Sequence, residues 1–73
     1  MSNIQPLGLI DSAIGAEVRV IMRNSREFVG TLIGFDDFVN IVLADATEYD
    51  DNQPKSKKNT VLINGNNICM LSL

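Results

Sequence analysis

Between Asp36 and Asn40 stand three side chains whose chemistry suits a single-stranded uridine. Phe38 offers a ring on which a base can stack, worth roughly 1 to 3 kcal/mol per base. Stacking tolerates any sequence, so discrimination falls to Asn40, whose amide has a donor and an acceptor that can meet uracil O4 and N3–H together. An amide free to flip would suit cytosine equally well. Asp36, an acceptor only when ionised, is placed to engage one amide hydrogen of Asn40 and fix its orientation. Each residue also has a plainer reading: Phe38 as a core aromatic at a strand start, Asp36 and Asn40 as turn residues bonded to nearby backbone. The pentapeptide alone leaves both open.

These residues need a scaffold, and the chain is short. Seventy-three residues with a net charge of −3 and 45% hydrophobic content describe one soluble globular domain. A domain of this size buries only roughly 60% of its unfolded surface. Disulfides, a structural metal or self-association usually make up the difference. Cys69 has no partner and there is no histidine, so association is the support expected. Within Ile68-Cys69-Met70-Leu71 the lone thiol reads as a small buried hydrophobe, and such cysteine usage fits the cell interior. No apolar run reaches the ~18 residues that span a bilayer, and residues 1–5 lack signal-peptide character, so no membrane is expected. The acidic balance argues against a basic stripe tracking many phosphates. Arg19, Arg23 and Arg26, and Lys55, Lys57 and Lys58, read as solvated surface.

The pattern of elements follows from periodicity. Pro6 opens a two-turn helix over 6–14, with Leu7, Ile10 and Ile14 on its apolar face and Gly15 as its stop. From Ala16 the period is two: Val18, Val20 and Met22 face one way, Glu17, Arg19 and Arg23 the other. After a turn at Asn24-Ser25, a second strand runs from Arg26 to Phe35, with Phe28 and Leu32 on one face and Val29, Ile33 and Phe35 on the other. Gly30 and Gly34 interrupt it on one face, as a sharply bent small barrel would require. A third strand is expected from Val39 to Tyr49, a polar loop over 50–59, and two short strands, Val61 to Ile63 and Ile68 to Leu73. The sum is a mainly β fold: a short N-terminal helix followed by a strongly bent five-stranded antiparallel barrel. No histidine, metal cluster, phosphate-cradling loop or activated nucleophile points to an enzyme, and no cofactor is expected.

The run Gly30-Thr31-Leu32-Ile33-Gly34-Phe35-Asp36-Asp37-Phe38-Val39-Asn40, continuing to Asp45, resembles the first motif of the Sm-like family. Leu62-Ile63-Asn64-Gly65-Asn66-Asn67 resembles the shorter second motif, with Gly65 as the matching glycine. On this resemblance residues 1–73 form a single Sm-like domain: helix 6–14, first-motif region 16–49, variable loop 50–59 and second-motif region 60–73. Within the family, residues 26–40 and 64–67 are closest to one subunit class of the eukaryotic ring.

The resemblance implies a heteroheptameric ring closed by pairing the fourth strand of one subunit with the fifth of its neighbour. That pairing would satisfy edges which a lone barrel leaves exposed. Self-association stays open to the isolated chain. It also implies single-stranded, uridine-rich RNA as ligand, with Asp36, Phe38, Asn40, Asn64 and Gly65 as RNA-binding residues. The implied roles are splicing, through a small nuclear RNA held at its 3′ end in the nucleus, and messenger-RNA decay in the cytoplasm. Many members place an arginine before the glycine to stack on the second face of the base. Asn64 stands there instead, which removes a cation–π partner and a positive charge. The runner-up is an SH3-like scaffolding barrel in which Phe38 and the strand edges meet proteins.

Overall fold

A computed structural model describes residues 7–73. The helix α1 spans Leu7–Ser12 and is followed by β1 (Glu17–Met22), β2 (Arg26–Phe35), β3 (Ile41–Asp50), β4 (Gln53–Ile63), a 3₁₀ turn (Gly65–Asn67) and β5 (Ile68–Ser72). Pro6, the expected start of the helix, lies outside the described residues. The helix is shorter than its apolar spacing suggested. Ile10 is fully buried, but the chain leaves the helix before Ile14, which is 44% exposed. Gly15, at φ +90°, then turns it into β1, donating its N–H to the Leu32 carbonyl at 2.8 Å.

The strands form one antiparallel sheet in the order β4-β3-β2-β1-β5. The sheet bends round a core of Val18, Val20, Phe28, Leu32, Ile41, Leu43, Ile63, Ile68 and Leu71, with Ile10 of the helix joining it. β4 and β5 are its two edges, so the expected barrel is an open one. The β2–β3 register shifts between Val29 and Thr31 and between Leu32 and Gly34, and an extra residue of this kind bends a strand. At Gly30 a Cβ would lie 2.9 Å from the Ala46 Cα, so only glycine lets β3 approach so closely. Gly34 differs: a Cβ there would meet nothing within 4 Å, and the bend rests on the extra residue, Ile33. That bulge resets the alternation. Phe35 packs against the core, on the side opposite to the one strict period-two reading gives.

Two further expectations change. Residues 53–59 are strand, not loop: β4 pairs with β3 from Asp50↔Gln53 to Ile41↔Ile63, through a tight turn in which Asp51 and Asn52 adopt φ of 51° and 66°. Their side chains are exposed, so the pairing is carried by backbone groups and leaves no hydrophobic alternation to read. Cys69 is exposed rather than buried. A register shift pairs Met22 with Ile68 but Ile21 with Met70, leaving Cys69 as the unpaired residue of a bulge.

Candidate nucleic-acid interface

β2 ends at Phe35 and β3 begins at Ile41, leaving a tight loop whose backbone closes through Asp36 N–H to Asn40 O (3.1 Å) and Val39 N–H to Asp36 O (3.0 Å). Val39 is held at φ 60°, a conformation disfavoured for a β-branched residue. Asp36 explains how the loop holds that shape. Its Oδ1 accepts the backbone N–H groups of Phe38 (2.9 Å) and Asn40 (3.0 Å), while its Oδ2 accepts the Asn40 side-chain amide at 2.9 Å. These bonds favour the charged form, and the Asn40 side-chain amide contributes most to holding the Asp36 carboxyl below its ordinary value.

Asp36 thus serves as both turn residue and orienting acceptor. Phe38, at the tip, is 81% exposed, so it is no core aromatic. A ring left in water beside a fixed amide is free to accept a stacking partner.

The other end of the Asn40 amide is also held. Its Oδ1 accepts the backbone N–H of Gly65 at 2.8 Å, from the turn between β4 and β5. A carboxylate can only accept and an N–H can only donate, so the two neighbours define which end of the amide is which. One Nδ2 hydrogen and one Oδ1 lone pair remain for a ligand. Gly65 is buried, and a Cβ on it would overlap the Phe38 carbonyl and lie 2.8 Å from the Val39 carbonyl oxygen. Only glycine brings the two loops this close.

The structure therefore joins Asp36, Asn40 and Gly65 through hydrogen bonds, with Phe38 on the same loop. Asn64 is placed differently: its side chain caps the 3₁₀ turn, Oδ1 accepting the Asn66 N–H at 2.9 Å. The Gly65 N–H as an anchor for Asn40 carried no signal in the sequence, because backbone donors are common to every residue except proline. Elsewhere the basic residues behave as a solvated surface: Arg19 pairs with Glu27 at 2.9 Å, and Arg26 and Lys58 meet Glu48 at 3.2 and 3.8 Å. No helix among the described residues is long and apolar enough to cross a membrane.

A short helix on a bent five-stranded sheet, with two open edges and an amide clamped between neighbouring loops, defines a small open β-barrel of the Sm type. The chain belongs to the LSM family, whose domain model matches residues 8–73. It is 56% identical over 69 residues to the LSM complex subunit lsm5 of Schizosaccharomyces pombe, covering 93% of this chain and 86% of that one. A probable U6 snRNA-associated Sm-like protein LSm5 of Dictyostelium discoideum is 45% identical over 73 residues, covering 96% and 75%. Both are of the subunit class that residues 26–40 and 64–67 suggested.

Among solved structures, a Pyrococcus abyssii Sm protein in complex with a uridine heptamer superposes with a TM-score of 0.89 at 35% identity, covering 94% of this chain and 97% of that one. A heptameric archaeal Sm protein gives 0.81 at 35% identity, covering 89% and 94%.

Proposed function

We propose that this chain, as a single Sm-like domain, is one subunit of a heteroheptameric ring that holds uridine-rich 3′ ends of RNA. It acts by binding and not by catalysis. The observation that carries the reading is the Asn40 amide, oriented by Asp36 at one end and by Gly65 at the other, beside the exposed ring of Phe38. The remaining donor and acceptor match the O4 and N3–H edge of uracil, and Phe38 supplies the face on which the base stacks.

The uridine-bound Pyrococcus abyssii relative and the heptameric archaeal one support both ligand and assembly. The U6 snRNA-associated Dictyostelium relative supports a role in pre-mRNA splicing in the nucleus. A companion role in messenger-RNA decay in the cytoplasm belongs to the same proposal. One pocket holds one base weakly, so useful affinity comes from several subunits holding one strand. The open β4 and β5 edges are where neighbours attach.

Titration of the assembled ring with oligo-U and oligo-A, alongside native mass spectrometry, tests the reading. A heptamer preferring oligo-U is expected. A monomer without RNA affinity, even when mixed with related subunits, would refute it in favour of a protein-binding scaffold.

A further inference from the structure

The two open edges of the sheet are unequal: β4 runs for 11 residues and β5 for 5. A fifth strand of this length arriving from a neighbour covers less than half of β4. The two parts of β4 also differ in kind. Residues 59–63 carry no charge and end in Val61, Leu62 and Ile63, with Leu62 72% exposed. β5 is likewise without charge. Residues 53–58 are exposed and hold Lys55, Lys57 and Lys58, three of the chain's six Lys and Arg residues. Pro54 has no N–H to give a further strand, and Lys55 is the extra residue where the β3–β4 register shifts between Glu48↔Ser56 and Tyr49↔Pro54. A proline, a bulge and a row of lysines are the features that keep an open edge from accepting a strand.

We infer that residues 53–58 are a register stop for ring closure, confining a neighbour's fifth strand to residues 59–63. This rests on the reading of the chain as a ring subunit. A stop is needed because alternation alone does not fix the register. A slip of one residue turns every side chain of the incoming strand to the wrong face, but a slip of two restores the faces. Towards the 3₁₀ turn such a slip fails, because β4 ends at Ile63. Towards the hairpin tip it would seat the strand on residues 57–61, uncovering Leu62 and burying the flanks of Lys57 and Lys58. Lys58 already lies 3.8 Å from Glu48, and an uncharged strand brings no carboxylate to either lysine.

The test is amide hydrogen exchange read residue by residue in the assembled ring, with native mass spectrometry alongside, for wild type, Lys57→Thr/Lys58→Thr and Lys57→Arg/Lys58→Arg. Alternate N–H groups of β4 point away from β3, and only a neighbouring strand protects them. In the wild-type ring those within 59–63 should exchange slower by about tenfold or more than those within 53–58. In the threonine variant, which keeps strand-favouring residues, protection should spread to residues 57–58 or masses beyond the single ring should appear. The arginine variant should match wild type. Protection throughout 53–58 in the wild-type ring, or a threonine variant with the wild-type boundary and mass, would overturn the stop and leave the ring standing. A wild-type chain that gives no ring mass with its partner subunits would overturn the ring reading and the stop with it.

Discussion

The side-chain oxygen of Asn40 accepts the backbone N–H of Gly65 at 2.8 Å, linking two loops 25 residues apart in the chain. With Asp36 Oδ2 holding the amide nitrogen at 2.9 Å, the group proposed to read the base is fixed before any ligand arrives. On the proposed function, discrimination between U and C depends on geometry stored in the protein, and each anchor can be removed separately.

Replacing Asp36 by Ala frees the amide nitrogen and removes the acceptor of two loop N–H groups. Preference for U over C in a ring with a working pocket is expected to fall on the order of tenfold, within the range of a bidentate base contact. Competition binding with oligo-U and oligo-C measures it, and an unchanged ratio would show that Asp36 does not set the orientation.

At Gly65, alanine would drive a Cβ into the Phe38 and Val39 carbonyls. Backbone cannot yield as a flexible side chain does, so a loss of about 1–3 kcal/mol of stability is expected, together with weaker uridine binding. Urea denaturation read beside the binding titration checks both, and wild-type values in the two measurements would contradict the close approach.

Phe38→Ala separates binding from folding. The ring is 81% exposed, so stability should stay within about 0.5 kcal/mol of wild type. The contribution of this subunit to RNA binding should drop by roughly 1–3 kcal/mol. A large fall in melting temperature would instead mark Phe38 as structural.

Acid should act on the loop through Asp36. Its carboxyl lies below the ordinary value of 3.8, first because of the Asn40 side-chain amide and then because of the backbone N–H groups of Asn40 and Phe38. A folded value lower than the unfolded one means that the stabilisation is fully present above 3.8 and is lost as pH falls through the lowered value. The Asp36 carboxyl resonance in an NMR titration should therefore have its midpoint below 3.8, and a midpoint at or above it would contradict the bonding described.

At the open edge, Leu62 is 72% exposed on β4. Leu62→Asp should oppose burial against a neighbouring subunit, raising the concentration needed for ring assembly by about tenfold or more, equivalent to roughly 1.4 kcal/mol. Native mass spectrometry over a dilution series reads this, and an unaltered assembly curve would place Leu62 outside the interface.

Much of the molecule was legible in the sequence because the determinants are local. Alternation at Val18 and Val20, the Asn24-Ser25 turn and the Asp36–Asn40 bond four residues apart depend on neighbours in the chain. The fold class and half of the proposed base site follow from them. Tertiary structure alone decided which way side chains face beyond a bulge, as at Phe35 and Cys69, because one extra residue reverses the alternation. It decided that residues 53–59 are strand, since backbone pairing with β3 leaves no mark in an exposed polar sequence. And it brought the Gly65 N–H to Asn40: a donor shared by nearly all residues becomes specific only through the place to which the fold carries it.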